Sequence, residues 1–274
     1  MNARVKPDLF FPVEMIEDAE MGGKYASDRK VIVRTDTNQV LGIHGAGYQL
    51  VTNEEVFGAV DTAIRKSDLK MTGAKTTDYV NLNGASAMRT IMFKSLQKPI
   101  AVGDQVGFQL NVRNSYDGSW AFGFNAGAMR LACLNGMIVM DKDNVIKRKH
   151  TMNLDVNAMV TNIHLLVEQF TAQCKEWKRY TKIKITEKDV IKVLDSFPGM
   201  NDRLKEAMIS HWQDNEAEIG GNLWALTNAL TYWSTHADMR ETATSNANVV
   251  QFNREDRVRR TIASPVFQKL ALAA

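Results

Sequence analysis

The sequence predicts an α+β fold, in which an antiparallel, β-rich N-terminal lobe with one internal helix precedes a helical C-terminal region. Two patterns support this prediction. Alternate residues are apolar over 104–115, which is the period of a half-buried strand, and glycine-marked bends separate further short β-like runs. After residue 155 the apolar residues recur every three or four positions, which is typical of amphipathic helices.

The N-terminal elements follow in order. Residues 1–29 lack clear periodicity, so we expect a flexible arm. The runs VIVR and VLGI flank the polar turn TDTNQ and predict a meander of short strands. Residues 53–66 carry apolar side chains at helical spacing, with Thr52 or Asn53 as the N-cap and acidic residues in the first turn. This segment predicts the internal helix.

Strand-like segments then return, from LKMTGAKTT to DQVGFQLNVRNS. Asp117-Gly118 is a turn signal, so SWAFGF is expected to pair back onto FQLNVRN as a hairpin. An apolar stripe through LDVNAMVTNIHLLVEQFTAQCKEW predicts a long helix. Further helices are expected near Glu187 to Phe197, Met200 to Asp214 and Asn222 to Thr235.

These elements divide the chain into four parts. The predicted parts are a flexible N-terminal arm (1–29), a β-rich α+β core (30–150), a helical region packed on the core (151–240), and a linker with a basic C-terminal helix (241–274).

Composition limits the class of protein. Hydrophobic residues make up 45% of the chain, enough for a substantial core, and the net charge of +3 permits polyanion binding without requiring it. Cys133 and Cys174 lie far apart and are typical of buried thiols in a reducing compartment. No secretory signal and no run of about 18 apolar residues is present, so we expect a cytoplasmic protein without a membrane partner.

The motifs of several enzyme classes are missing from the sequence. There is no GxxxxGK[ST], GxGxxG, HExxH or CxxC pattern, so no nucleotide-driven motor, cofactor or metal is expected and no catalytic residue is assigned. The five histidines are scattered singly, which favours structural or surface roles over metal ligation. Asp117, Asp141 and Asp143 could hold a divalent cation, although such carboxylates are more often part of turns.

Basic residues interleaved with aromatic ones give the most informative signal. Cations neutralise phosphates and release counterions, while an aromatic face offers a stacking surface for an unpaired base. The alternative is a solvated helix end with the rings packed inward. The candidate nucleic-acid-binding residues are Lys147, Arg148, Lys149, Lys175, Trp177, Lys178, Arg179, Tyr180, Lys182, Arg257 and Arg260.

A second group of polar residues surrounds the predicted hairpin. Buried polar side chains in a sheet need partners, and enzyme sites can be built from them. A hydrogen-bonded turn beside a packed cysteine is the alternative interpretation. The candidate polar site comprises Asn114, Asp117, Arg130 and Asn135, together with Cys133.

Three segments carry a resemblance to a known family. GAGYQLVTNEEVF, NSYDGSWAFGFNAGAMRLACLNGMIV and LWALTNALTYWSTHA together resemble the phage- and plasmid-borne proteins of domain-of-unknown-function family 932. The chain departs from the family pattern at 136–138, where Gly-Met-Ile replaces a threonine-rich segment. The matching positions are Tyr48, Asn53, Asn114, Asp117, Gly118, Ser119, Arg130, Cys133, Asn135, Tyr232 and His236.

The resemblance implies work in replication, recombination or host defence, by association with mobile elements only. The first hypothesis is a single-stranded DNA-binding protein that promotes strand annealing without ATP. It is similar in architecture to Redβ- or Erf-like proteins, which assemble as rings or filaments, so a homo-oligomer is expected. The alternatives are an enzyme that uses the candidate polar site, and a protein-binding inhibitor of a host defence system that exposes an apolar patch.

Overall fold

The computed structural model describes residues 8–17, 29–67, 69, 73–81, 83–131, 135–138, 145–150, 155–160, 163–237 and 247–273. It confirms the predicted α+β class, because antiparallel strands fill the N-terminal half and helices fill the C-terminal half. No described helix combines the length and the apolar character of a membrane span.

Nine strands form two sheets within the described residues. The first sheet has the order β1-β2-β3, and the second has the order β4-β5-β6-β7-β8, with β9 also paired to β7. The neighbouring positions of β6 and β7 confirm the predicted hairpin. The strands are β1 (Val13–Glu17), β2 (Lys30–Arg34), β3 (Gln39–His44), β4 (Lys75–Val80), β5 (Ser86–Ala101), β6 (Asp104–Ser115), β7 (Phe122–Arg130), β8 (Asn135–Ile138) and β9 (Val145–Arg148).

Strand β1 lies within the stretch predicted as a flexible arm. It pairs with β2 in antiparallel register, with Val13 opposite Arg34. The side chains of Leu9 and Phe11 just before it are buried. Residues 8–17 are therefore an ordered strand and its lead-in, because the free edge of β2 offers hydrogen-bonding partners that local periodicity does not reveal.

Helix α1 (Asn53–Lys66) forms as the sequence predicts. Thr52 is the N-cap, and its side chain accepts a hydrogen bond from the backbone of Glu55, whose carboxylate bonds the Thr52 backbone in return. This capping box fixes the start of the helix. Val56, Phe57, Val60 and Ile64 bury the helical stripe.

Within the described residues, seven further helices follow, close to the predicted positions. The helix predicted from residue 155 corresponds to α2 and α3, which lie on either side of residues 161 and 162, outside the described residues. The helices are α2 (Val156–Val160), α3 (Ile163–Tyr180), α4 (Glu187–Asp195), α5 (Asp202–Ile219), α6 (Leu223–His236), α7 (Ala247–Ile262) and α8 (Pro265–Ala271).

The chain folds into two compact units that are interleaved along the sequence. Unit 1 comprises residues 1–95, 109–126 and 142–166, and unit 2 comprises residues 96–108, 127–141 and 167–274. Strands β5, β6 and β7 and helix α3 each contribute residues to both units. The sequence-based prediction places a single boundary at residue 150. In the structure each long strand contributes residues to both units, so no single boundary in the sequence separates them.

Candidate functional site

A hydrogen-bonded polar cluster in unit 1 joins distant parts of the chain. Asn114 Nδ2 donates to the side-chain oxygen of Asn53 and to the carbonyl oxygen of Val51, both at 3.0 Å. Asn114 Oδ1 lies 2.8 Å from Nε2 of His150. Because an amide oxygen can only accept, we assign the proton of His150 to Nε2.

Three rings of the same cluster are stacked. The Tyr48 ring lies between two imidazoles, with ring centroids 3.8 Å from His44 and 5.3 Å from His150 and interplanar angles of 11° and 16°. Nε2 of His44 donates to the carbonyl oxygen of Tyr116 at 2.7 Å. The Tyr48 hydroxyl donates to the carbonyl oxygen of Ser115 at 3.3 Å. The stack is therefore tied to the end of β6 from two sides.

Two glycines allow the backbone to approach this stack. A Cβ on Gly42 would lie 2.1 Å from the carbonyl oxygen of Tyr116, so only glycine fits at that point of β3. Gly118 has a positive φ of 73°, and a Cβ there would lie 3.1 Å from the His44 ring. Next to it, the exposed Asp117 carboxylate accepts a hydrogen bond from the backbone of Ser119 at 2.9 Å. Asp117 thus has the local turn role that aspartate commonly plays.

Burial favours the neutral forms of His150, Tyr116 and Tyr48. It lowers the pKa of His150 to about 4, with a further contribution from nearby His44. Burial also raises the pKa of Tyr116 to about 12 and raises the pKa of Tyr48. At neutral pH these three side chains are consequently uncharged, and their hydrogen bonds and ring contacts link β3, the end of β6 and residue 150.

Acidification is expected to destabilise the protein through His150. An unfolded histidine takes up a proton near pH 6.5, whereas His150 in the folded protein resists protonation down to about pH 4. Its contribution is therefore complete above pH 6.5 and is lost as the pH falls towards 4, by about 3 kcal/mol in all. Urea unfolding at pH 7 and pH 4.5 measures this loss.

His150→Gln keeps a donor for Asn114 but cannot titrate, so the variant should show a smaller difference between the two pH values. His164→Gln, at an exposed histidine, is the matched control and should keep the full difference. An identical pH dependence in the wild type and His150→Gln would contradict the assignment.

Arg130 of the candidate polar site is held in a buried ion pair within unit 2. Its Nε lies 2.8 Å from Oδ1 of Asp104, and both side chains are only 3% exposed. Asp104 Oδ2 also accepts a hydrogen bond from the Trp224 indole at 2.8 Å, and Arg130 donates to Asn215 at 3.2 Å. The guanidinium charge is thus compensated inside the unit.

The structure therefore brings Asn114 and Asp117 together in unit 1 and places Arg130 in unit 2. Asn135 stands opposite Arg130 in the pairing of β7 with β8. Cys133, Asp141 and Asp143 lie outside the described residues, as does the side chain of Asn135. Among the residues the structure describes, no group of three or more metal-binding side chains occurs.

The aromatic residues of the basic segment are buried, which corrects their predicted stacking role. Trp177 is 1% exposed and Tyr180 is 5% exposed. Trp177 packs on Trp224 with 5.6 Å between ring centroids, and Tyr180 packs edge-on against Phe267 at 5.8 Å. A base cannot reach either ring, because both rings belong to the core of unit 2.

Several of the predicted phosphate-binding arginines have structural partners instead. Arg257 donates to the carbonyl oxygens of Pro198 and Gly199 and lies over the rings of Phe197 and Trp233. Burial beside Arg254 lowers its pKa.

Two further arginines each form an ion pair with a carboxylate of the same helix. Arg260 forms an ion pair with Asp256 at 2.5 Å. Arg179 pairs with Glu176 at 2.7 Å and donates to the carbonyl oxygen of Ala271. These contacts hold helix ends and turns in place, so the arginines have less capacity to bind phosphate.

The lysines of α3 keep the properties that phosphate binding requires. Lys175 and Lys178 are exposed on α3, and Lys182 is exposed in the turn that follows. We call these three residues the lysine row; within the described part of the chain, none of them forms an ion pair. Lys149 is also exposed, while Lys147 and Arg148 belong to β9 and their side chains lie outside the described residues.

A family model described as "Domain of unknown function (DUF932)" matches residues 40–260 of the chain. The chain belongs to this family. No curated protein and no solved structure matches it. The DUF932 match includes the stacked cluster, Arg130 and the lysine row, whereas β1 and β2 precede the matched residues.

The DUF932 chain contains a second tyrosine between two histidines, in unit 2. The Tyr232 ring lies 4.3 Å from that of His236 and 4.5 Å from that of His211, measured between centroids. Sequence reasoning found Tyr232 and His236 through the resemblance and treated each histidine as isolated. The four-residue spacing of Tyr232 and His236 on a helix signals this contact, whereas no local signal connects His150 to Tyr48.

Proposed function

We propose that this DUF932 protein binds single-stranded DNA through the lysine row and promotes strand annealing without ATP. The observation that carries the proposal is the lysine row itself, three exposed cations on α3 and in the turn that follows it. Between Lys175 and Lys184 the chain holds five cations and a single carboxylate, that of Glu176. A local excess of positive charge of this kind attracts phosphates and releases their counterions.

The spacing of the lysines suits the sugar-phosphate backbone of a single DNA strand. Phe170, Cys174 and Trp177 bury one side of α3, and Lys175 and Lys178 lie on its exposed part. These two lysines are separated by about 4.5 Å along the axis at 1.5 Å per residue. That distance is close to the spacing of about 3.4 Å between phosphates in a stacked strand, so the two ammonium groups can meet different phosphates, and Lys182 in the following turn can meet a third.

Replacing the lysine row by alanine is expected to weaken DNA binding and to reduce its salt dependence. Three lost phosphate contacts should lower the slope of log K against log salt by about 2, since each contact on a single strand contributes about 0.7. Fluorescence anisotropy of a labelled 20-nucleotide strand, titrated from about 50 to 200 mM salt, measures both quantities.

The matched control replaces Lys188, Lys192 and Lys269 by alanine. These lysines are also exposed in unit 2, and the change in net charge is the same. Full affinity and an unchanged slope in the control, with losses in the lysine-row variant, support the proposal. Equal losses in both variants would indicate only a general charge effect, and no binding by the wild type would refute the proposal.

Annealing, self-association and location are further parts of the proposal. Pairing of two complementary strands in the absence of ATP tests annealing, and the mass in solution tests the homo-oligomer. We place this activity in the cytoplasm, which in a phage would be that of the host. Cys174 is a buried free thiol whose pKa burial raises to about 12, which agrees with a reducing compartment.

The alternative functions have less support from the described residues. An enzymatic site would need the charge of Arg130, which the buried Asp104 already compensates. An inhibitor that docks through an apolar patch would use exposed side chains such as Val40 (41%) and Ile43 (55%) on β3. The exposed large apolar side chains of the described residues are distributed over several elements, and the two on β3 alone provide much less than the several hundred Å² of a typical interaction patch.

A further inference from the structure

Unpaired bases need a stacking surface that the lysine row does not supply. A protein that prefers single strands stacks the accessible base faces on aromatic side chains, histidine among them. Trp177 and Tyr180 beside the lysine row are buried in the core of unit 2. Among the described side chains of unit 2, the only aromatic rings that are not buried belong to His211, Tyr232 and His236. We call these three residues the outer ring stack.

The outer ring stack is open at His236. The rings of Tyr232 and His236 are nearly parallel, at 14°, with 4.3 Å between centroids, so Tyr232 covers one face of the imidazole. Tyr232 is half-buried, whereas His236 is exposed. No described side chain stacks on the other face of His236 or forms a hydrogen bond with it. A base can therefore extend the stack by packing on that face.

Positive charge lies beside His236. The guanidinium of Arg254 donates to the carbonyl oxygen of Ala237, the next residue, at 2.6 Å. Arg254 and Arg257 also lie over the Trp233 ring, 5.4 and 4.9 Å from its centroid. Arg257 donates to carbonyl oxygens and forms no ion pair with a described carboxylate, so its charge is not neutralised. The charge of the two arginines favours a phosphate near the end of α6, even though their N–H groups already have partners.

His211 suits a nucleotide less well than His236 does. Nδ1 of His211 lies 4.0 Å from the Asp214 carboxylate, whose negative charge repels phosphates. The His211 ring is also inclined to that of Tyr232 by 52°. His236 is therefore the member of the outer ring stack best placed to meet a base.

The distance from α3 to His236 is within the length of a short single strand. Trp177 of α3 packs on Trp224 at the start of α6, so this end of α6 lies beside the helix that carries the lysines. His236 follows Trp224 by twelve residues, which is about 18 Å along the axis at 1.5 Å per residue. That distance corresponds to about five nucleotides at 3.4 Å each, so one strand is long enough to meet both sites.

We propose that the exposed face of His236 stacks on an unpaired base of the DNA strand, with Tyr232 behind it and the charge of Arg254 and Arg257 attracting the adjacent phosphate. This inference rests on the proposed function for its ligand, but it assigns a different site and a different interaction. The lysine row recognises phosphates and is indifferent to bases. Stacking on His236 supplies a preference for strands with unpaired bases.

The test compares the labelled strand with an abasic strand of the same length, which carries the same phosphates without bases. Wild-type protein should bind the normal strand about fivefold or more tightly, as one stacked base allows. His236→Ala should lose most of this preference and keep the salt slope. His236→Phe keeps an aromatic face and should retain the preference. His164→Ala, at an exposed histidine of unit 1, is the control and should behave like the wild type.

Photocrosslinking locates the stacked base directly. A strand that carries iodouracil at one position in turn is irradiated in complex with the wild-type protein, and the base forms a covalent bond with an aromatic ring that it contacts. Peptide mapping should find the crosslink at Tyr232 or His236. Crosslinks confined to other segments of the chain would overturn the inference.

The outcomes separate the two proposals. Equal affinity of the wild type for both strands, with loss of binding in the lysine-row variant, would overturn stacking on His236 and leave the proposed function standing. An unchanged preference for bases in His236→Ala would also overturn it. No binding to either strand would refute the proposed function and this inference together. Circular dichroism and the urea midpoint confirm that each variant is folded, which the replacement of an exposed side chain should allow.

Discussion

Replacing Arg130 with methionine is expected to lower the free energy of unfolding by about 3–5 kcal/mol, because the change leaves the carboxylate of Asp104 buried without its cation. Both side chains are 3% exposed, so water cannot replace the lost partner. Asp104 would keep the hydrogen bond from the Trp224 indole, which only partly compensates a full negative charge. The shift of the urea midpoint, monitored by tryptophan fluorescence, measures the loss.

Arg203→Met is the matched control, since Arg203 is an exposed arginine of α5 in the same unit. Its replacement should change stability by less than about 0.5 kcal/mol. Replacing Asp104 by leucine in the Arg130→Met background removes the uncompensated charge, so the double variant should be less destabilised than the sum of the single losses. An Arg130→Met variant as stable as the Arg203→Met control would show that the pair is solvated.

This ion pair illustrates what the sequence can and cannot predict. The sequence singles out Arg130 and suggests an enzyme site, because a polar residue within an apolar strand needs a partner. It does not reveal the partner, since Asp104 is 26 residues away and Trp224 lies 120 residues beyond Asp104. The role of Arg130 depends on that partner, so the sequence patterns that predict the fold do not reveal this role.

Local signals predict the fold more successfully. The start of α1 is fixed by Thr52 and Glu55, which are three residues apart, and the sequence alone narrows the N-cap to Thr52 or Asn53. The end of α5 is harder to predict. The segment up to Ile219 is rich in charged residues that form helix readily but show no apolar stripe, so the prediction stops at Asp214. The helix ends only at Gly220, whose φ of 86° favours glycine.

The lysine row follows from local signals as well. Exposed lysines at helical spacing follow from the sequence alone, and the phase of the helix also indicates which aromatic residues face inward. Trp177 follows Phe170 and Cys174 at intervals of seven and three residues, which places it on their buried side. Strand register, such as that of β4 with β5, leaves no such local trace, because it pairs residues from different segments.

Replacing Trp177 with alanine is expected to lower the free energy of unfolding by about 3–5 kcal/mol, as the loss of a large buried ring leaves a cavity. The ring is 1% exposed and packs against Trp224 at 5.6 Å between centroids, so its removal also takes a packing partner from Trp224, whose indole donates to Asp104. Urea unfolding measures the effect. Trp177→Phe fills most of the cavity and should recover a large part of the lost stability.

DNA binding tests whether Trp177 is a core residue or a stacking residue. At a temperature where Trp177→Ala is still folded, it should bind a labelled single strand as the wild type does, because the lysine row is unchanged. A folded Trp177→Ala variant that keeps its stability and loses DNA binding would instead make Trp177 a stacking residue and contradict its place in the core. The substitution therefore decides whether this ring meets the bases, independently of how many phosphates the lysines hold.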